Sequence, residues 1–176
     1  TPMLRGALVD VNGTPAAELK TSGPEATFLL ACEVPLTFRS RLPASSRVTA
    51  GEWWAEDYTC PGLVSLHQSL RHGLGVNLGD TLTFSIFGEE ITVTIASFRD
   101  YSWQGGIDFL ATFSPGVLED YPATLLGAVT AAKGREDVVE RELASALPDI
   151  RFIAICQTLE LITTALSQLS LAASLV

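Results

Sequence analysis

Two runs of strictly alternating residues on either side of a glycine turn constrain the fold most strongly. In Thr81–Phe87 the apolar residues occupy every second position, and the same alternation returns in Ile91–Ile95 after Gly88-Glu89. Alternation with a period of two places the apolar side chains of a strand on one face of a sheet. Two such runs joined by a glycine-containing turn predict a β-hairpin with one face in the core.

The first two thirds of the chain are predicted to be mostly β-structure. Met3–Val11 alternates weakly and ends at Asn12-Gly13, a dipeptide typical of tight turns. Phe28–Arg39 predicts another strand, with Pro35 at an edge or a bulge because proline cannot donate to a sheet ladder.

One short helix is predicted within this β-rich region. Ser65 and Gln68 have the spacing of a capping box, in which each side chain bonds the backbone amide of the other residue. Gly73 suits the left-handed position that follows the end of a helix.

The last third of the chain follows the order strand, helix, strand, helix. Residues 124–130 and 150–155 predict strands, and Arg135–Leu147 predicts an amphipathic helix. A terminal helix is predicted from Leu159 onward. The whole pattern predicts an α+β protein.

Charge and hydropathy exclude several classes of protein. The 176 residues carry a formal net charge of −9, 47 % of them are hydrophobic, and the mean hydropathy is +0.31. Disordered chains combine low hydrophobicity with high charge, and nucleic-acid-binding domains are usually basic, so neither class fits. The chain opens with Thr1 rather than Met, and residues 161–176 carry no charge. We therefore expect a piece of a larger protein whose last helix runs into a membrane span; the alternative is an ordinary core helix.

Residues suited to catalysis or metal binding are scarce. His67 and His72 are five residues apart, whereas metal-binding pairs on one helix face are usually four apart. Cys32, Cys60 and Cys156 are too widely spaced for a zinc knuckle, and buried free thiols are favoured over a Cys32–Cys60 disulfide. We predict no catalytic residue, no metal and no cofactor.

The aromatic residues of the loops are the remaining candidate site. Trp53, Trp54, Tyr101 and Trp103 lie in or beside predicted loops. Tyr and Trp in loops commonly anchor a protein partner or an apolar ligand. The alternative is that these rings close the ends of the β-structure. We treat the four residues as candidate partner or substrate contacts and expect Trp103 to be the most exposed.

Four segments of the sequence together resemble one family of membrane transporters. They are PMLRGALVDVNG (2–13), VTAGEWW (48–54), VSLHQSLRHGLGVNLGDTLTFSIFGEEITVTIASFRD (64–100) and DFLATFSPGVLEDYPAT (108–124). The pattern resembles the first extracytoplasmic domain of FtsX-like ABC transporter permeases, in the YbbP-type branch that is related to MacB and LolC/LolE. The resemblance covers nearly the whole chain. It departs from the family at His67, Gln68 and Ser69, where relatives often carry charged residues.

The resemblance implies a two-part α+β fold. Residues 1–176 would form one periplasmic domain between the first and second membrane helices. Residues 48–113 would supply most of a β-rich Sabre-like part, and residues 124–158 half of a β-α-β Porter-like part. Residues 159–176 would form a juxtamembrane helix that leads towards the second span. The other Porter half would precede Thr1, and the exposed sheet edge left by its absence would favour a homodimer of the excised domain.

The function implied by the resemblance is that of a non-enzymatic periplasmic domain in an inner-membrane permease subunit. A separate cytoplasmic ABC ATPase would hydrolyse ATP. The permease would couple that hydrolysis to the movement or release of a hydrophobic, lipid-linked or lipoprotein substrate, which is mechanotransmission. A periplasmic partner protein or a lipid-like substrate would contact the domain, and no nucleic acid is expected.

Two alternative functions stay open at this point. One is a small periplasmic hydrolase, or its accessory subunit, in which Ser65 and His67 carry the chemistry. The other is a sensor ectodomain that binds a small ligand in an apolar pocket lined by Trp53, Trp54 or Trp103.

Overall fold

Nine strands and three α-helices form the secondary structure of residues 1–101, 107–132 and 134–152, the residues that this computed structural model describes. The strands are β1 (Pro2–Val11), β2 (Thr14–Pro15), β3 (Val34–Phe38), β4 (Ser46–Gly51), β5 (Leu63–His67), β6 (Thr81–Ile86), β7 (Glu89–Tyr101), β8 (Ala111–Phe113) and β9 (Thr124–Leu125). The helices are α1 (Pro24–Ala31), α2 (Ser69–Leu74) and α3 (Glu136–Ala146), and a 3-10 helix covers Ala16–Glu18. The chain divides into two units, Thr1–Ala128 and Val129–Val176.

Six strands of the first unit close into a barrel. Strand β1 pairs antiparallel with β3 along one part of its length and with β6 along another. Strand β3 runs parallel to β8, which is antiparallel to β5, and β5 runs parallel to β7. The ring closes because β7 is antiparallel to β6. Strand β4 lies outside the ring and pairs with the second half of β7.

The interior of the barrel is filled by apolar side chains. On β6 every second residue is buried, as the alternation predicts, and Leu82, Phe84 and Ile86 are completely enclosed. Phe84 meets Phe113 of β8 edge to face across the interior, with ring centroids 5.2 Å apart. Burying a side chain of this size stabilises the folded state by about 1.5–3 kcal/mol.

Closure of the barrel depends on a small residue in β1. A Cβ atom added at Gly6 would lie 2.7 Å from Leu36 and 2.8 Å from Ile86. Strand β1 passes from β3 to β6 at this point, so a larger residue would force the two neighbouring strands apart.

Several local predictions are confirmed. The β6–β7 hairpin lies where the alternation predicts it, with Ile86 opposite Glu89. Strand β1 ends at the turn Asn12-Gly13, where both residues have a positive φ. Helix α3 lies within the predicted Arg135–Leu147, and it begins with two acidic residues that suit the positive end of a helix.

The α+β prediction, with a β-rich Sabre-like part and a β-α-β Porter-like part, is wrong. The first unit is a closed six-stranded barrel and the described part of the chain contains few helices. Strands between residues 48 and 113 pair with β1 and β3, which precede that segment. Periodicity shows which residues form a strand, but it carries no information about distant partners.

Three local predictions are also wrong. Residues 28–31 belong to helix α1 rather than to the start of the strand predicted for Phe28–Arg39, and a short apolar run cannot distinguish these two states. Ser65 lies in strand β5 rather than at a helix start, because β5 is covered on both faces and its burial does not alternate. The left-handed residue that ends α2 is Gly75, while Gly73 is buried beside Ala26.

None of the helices within the described ranges is long and apolar enough to cross a membrane. The terminal helix predicted for 159–176 lies outside the described residues, as does the second half of the strand predicted for 150–155.

Candidate functional site

The rings of Trp53 and Trp54 form a tilted pair just after β4. Their ring centroids are 4.1 Å apart, and the ring planes are inclined by 32°. The indole N–H of Trp53 donates to the carbonyl oxygen of Ser40 at 3.0 Å, and that of Trp54 donates to the carbonyl oxygen of Arg39 at 2.8 Å. These bonds tie the loop after β4 to the loop after β3. Trp54 is buried, whereas Trp53 is half-buried.

Tyr101 lies at a different place from the tryptophan pair. It pairs with Ser46 at the start of β4, while Gly51 at the end of β4 pairs with Ser97. Four residues of β7 therefore separate the two places, which is about 13 Å at 3.3 Å per residue. Trp103 lies outside the described residues.

The ring of Tyr101 packs between His67 and Arg99. It meets the imidazole of His67 edge to face, with ring centroids 4.8 Å apart, and the guanidinium carbon of Arg99 lies 5.9 Å from its centroid. Burial, followed by the negative charge of Asp108, raises the pKa of the Tyr101 hydroxyl above its ordinary value.

Arg99 is the centre of a buried polar cluster that the sequence interpretation missed. Its side chain is completely enclosed, and one guanidinium nitrogen donates to the carbonyl oxygen of Ser65 at 2.6 Å. The other donates to the Asp108 carboxylate at 3.0 Å, to the Thr112 hydroxyl at 2.8 Å and to the carbonyl oxygen of Phe109. The cluster therefore joins β5 and β7 to the segment that leads into β8.

Asp108 completes this cluster and holds a negative charge in the interior. Its carboxylate accepts hydrogen bonds from the Ser46 hydroxyl and from the backbone N–H of Phe109. Burial acts to raise the pKa of Asp108, but the charge of Arg99 and the hydrogen bonds outweigh it and hold the pKa below its ordinary value. Burial lowers the pKa of Arg99, and the charge of Asp108 opposes that shift. The cluster is structural, because its charged groups are enclosed within the fold.

The alternation of β7 does not reveal this burial. The pairing of β5 with β7 shifts by one residue between Ile95 and Ser97, so Phe98 rather than Arg99 continues the face of Val93 and Ile95. A buried arginine needs a buried acid as partner, since an unpaired charge is costly in the interior. Asp108 supplies that partner from nine residues further along the chain.

The arrangement that would favour a hydrolase does not form around Ser65. Its hydroxyl is completely buried and accepts a hydrogen bond from Ser97 at 2.8 Å. His67 instead accepts from the backbone N–H of Ser69 at 3.3 Å and lies 2.8 Å from the Ser69 hydroxyl. Its other ring nitrogen lies 3.4 Å from the Asp100 carboxylate. These contacts fix the turn from β5 into α2.

Cysteines and metal-binding groups add no further site. Cys32 and Cys60 are both free, and both are exposed rather than buried as the sequence interpretation favoured; Cys156 lies outside the described residues. Within the ranges that the structure covers, no group of three or more His, Cys, Asp or Glu side chains could hold a metal ion.

Two open clefts flank Arg39. One has a volume of about 420 Å³ and is lined by Ser45 and Ile107 among others, and the second has a volume of about 480 Å³ and is lined by Phe38 and Glu56 among others. Neither Trp53 nor Trp54 lines these clefts, so neither cleft is the closed aromatic pocket that a ligand sensor would need.

Comparison with known proteins gives one informative similarity. The sequence is 29 % identical over 126 residues to the uncharacterized ABC transporter permease YbbP of Escherichia coli (strain K12), an alignment that covers 71 % of this chain. The aligned part is 14 % of that protein, so the chain spans a small fraction of its relative's length. No protein-family model and no solved structure matches the sequence. The similarity shows an ABC permease-like relationship for this chain.

Proposed function

We propose that this chain is a periplasmic, and so extracytoplasmic, domain of an ABC transporter permease subunit in the inner membrane. The observation that carries the proposal is the similarity to YbbP over 71 % of the chain. An ABC permease works with an ATPase, so a separate cytoplasmic ATPase subunit would be the partner of the complete protein.

The domain would act mechanically rather than chemically. A domain that passes on the motion of membrane helices has to move as one body, and a closed ring of six paired strands is stiff in this way. The Arg99–Asp108 pair adds to this stiffness because it ties the segment before β8 to two other strands. This role requires no catalytic residue in the domain, and the energy would come from ATP hydrolysis in the other subunit.

The net charge supports an orientation away from the membrane. The chain carries a formal charge of −9. Because the surfaces of many membranes carry anionic lipid, a strongly acidic domain is repelled from them. The domain would project into the periplasm, where a hydrophobic, lipid-linked or lipoprotein substrate, or a partner protein, would reach it.

Purification of the full-length gene product tests the transporter assignment. We expect apolar membrane spans in the coding sequence outside these 176 residues, and co-purification with an ABC ATPase whose ATP hydrolysis is measurable in the complex. A full-length product with no apolar spans and no associated ATPase would overturn the proposal.

A substitution at Trp53 tests the coupling role. In the full-length permease, Trp53→Ala removes the accessible ring of the tryptophan pair, and we expect transport to fall while ATP hydrolysis by the complex stays unchanged. Leu125→Ala is the matched control, because Leu125 is 80 % exposed and makes no part of this pair. Equal transport by all three proteins would contradict a contact role for Trp53.

A further inference from the structure

The tip of the β6–β7 hairpin carries an exposed aromatic ring on a strained backbone. Phe87 and Gly88 form the two-residue turn, with φ of 50° and 84°. Positive φ at both positions is typical of a type I′ turn, where Asn-Gly is the favoured pair and a bulky residue is disfavoured. Phe87 is nevertheless 62 % exposed. Its ring is therefore kept in water at a position where asparagine would suit the backbone better.

A second aromatic ring holds Phe87 in place. The ring of Tyr121 lies parallel to that of Phe87, with centroids 6.1 Å apart and planes inclined by 6°. The Tyr121 hydroxyl donates a hydrogen bond to the carboxylate of Glu89, the residue that follows the turn. This hydrogen bond is the main reason why the pKa of Tyr121 is raised. The two rings thus form a preorganised apolar platform, which we call the hairpin platform.

The rim of the hairpin platform is acidic. Residues 84–92 and 115–124, which supply the two rings, contain four carboxylates and no Lys or Arg. All four acidic residues, Glu89, Glu90, Glu119 and Asp120, are exposed. The basic residue of the neighbouring strand β1, Arg5, donates instead to the carbonyl oxygen of Glu33.

We infer that the hairpin platform docks a basic segment of a protein partner. An arginine of the partner would lie over the exposed ring of Phe87, since guanidinium groups stack favourably on aromatic faces. Neighbouring basic side chains would pair with the acidic rim. The same carboxylates disfavour an anionic lipid surface, because like charges repel. The partner is therefore a basic peptide segment rather than a membrane.

This inference rests on the proposed function, because a periplasmic domain of a permease is where a partner protein would bind. Its test nevertheless uses only the purified chain. A failure of peptide binding therefore overturns the docking surface alone, while the transporter assignment is decided separately by purification of the full-length product.

The test compares binding of two labelled peptides to the 176-residue chain. The probe is a fluorescein-labelled eight-residue peptide in which arginine alternates with leucine, and the matched peptide has glutamate in place of arginine. We expect fluorescence anisotropy to show binding of the arginine peptide alone. Backbone amide shifts in NMR spectra should change at residues 87–90 and 119–121.

Phe87→Asn is the decisive variant because asparagine keeps the turn and removes the ring. We expect its melting temperature to equal or exceed that of the unmodified chain, with affinity for the arginine peptide reduced by about tenfold. Phe28→Ala is the matched control, since Phe28 is 46 % exposed on α1 and should bind as the unmodified chain does.

Four outcomes would overturn the inference. They are absence of binding, equal binding by Phe87→Asn, amide shifts confined to other residues, and Phe87-dependent binding to phosphatidylglycerol vesicles in place of the peptide. A second variant, Glu90→Gln combined with Asp120→Asn, tests the rim. This double variant should bind the arginine peptide more weakly, and its affinity should depend less on salt concentration, because two of the paired charges are gone.

Discussion

Removing Asp108 is expected to destabilise the barrel strongly. In Asp108→Ala the charge of Arg99 stays enclosed, with its side chain fully buried and its partner carboxylate gone. The backbone N–H of Phe109 and the hydroxyl of Ser46 also lose their acceptor. Removing one member of a buried ion pair costs about 3–5 kcal/mol. A domain of this kind is usually stable by about 5–15 kcal/mol in total, so the loss would be a large fraction.

A surface ion pair provides the matched control. Arg41 and Glu56 are 2.8 Å apart, but their side chains are 78 % and 63 % exposed. Breaking such a pair with Glu56→Ala should change the free energy of unfolding by at most about 1 kcal/mol. Urea titration followed by tryptophan fluorescence measures both variants. If Asp108→Ala lies within about 1 kcal/mol of Glu56→Ala, the buried cluster does not stabilise the fold as argued.

The same cluster sets the acid sensitivity of the fold. The pKa of Asp108 is below its ordinary value of about 3.9 in the folded state, so the folded chain binds fewer protons than the unfolded chain. This contribution to stability is complete above about pH 5 and is lost progressively as the pH falls from there through the lowered folded pKa. Urea titrations of Asp108→Asn at pH 7 and pH 3 should show a smaller loss on acidification than the unmodified chain. An equal loss would contradict the assignment.

Three further predictions concern single contacts. Gly51→Ala should destabilise the fold by about 3 kcal/mol in urea titration, because φ is +74° and the added Cβ would clash with the carbonyl oxygen of Ala96. Gly13→Ala, where φ is +82° and the Cβ would meet open space, should cost only about 1 kcal/mol. Glu89→Gln should lower the pKa of Tyr121 in an ultraviolet titration, because the hydrogen bond to a carboxylate is what raises it. Trp54→Phe should cost about 1–2 kcal/mol, because the part-buried carbonyl oxygen of Arg39 loses its donor. Equal costs for the two glycine variants would refute the close approach at Gly51. An unchanged pKa of Tyr121 would refute its hydrogen bond to Glu89. A Trp54→Phe variant as stable as the unmodified chain would refute the hydrogen bond from Trp54 to Arg39.

The elements that could be predicted from the sequence are those whose pattern lies within one continuous segment. The β6–β7 hairpin and helix α3 follow from alternation and amphipathicity within one segment. The turn at Asn12-Gly13 follows from residues that tolerate a positive φ. Closure of the barrel could not be predicted in the same way, because it depends on β1 pairing with β3 and β6, whose residues are far away in sequence.

The candidate site was predicted only in part. Trp53 and Trp54 do lie in a loop after a strand, and their indole hydrogen bonds tie that loop to the loop after β3, a contact that the sequence does not reveal. Arg99 was missed because a charged residue is normally read as exposed. Phe87 was counted as the last residue of an alternating strand, and its positive φ is visible only in the structure.

Thiol labelling of the full-length protein in spheroplasts tests the central claim most directly. Cys32 and Cys60 are free and exposed in the folded domain, so they report on which side of the membrane it lies. With Cys156 replaced by serine and an impermeant reductant present, a membrane-impermeant maleimide should label the protein before the cells are lysed. Substitution of Cys32 and Cys60 by serine should abolish this labelling. Labelling only after lysis would place the domain in the cytoplasm and contradict its assignment as a periplasmic domain of an ABC permease.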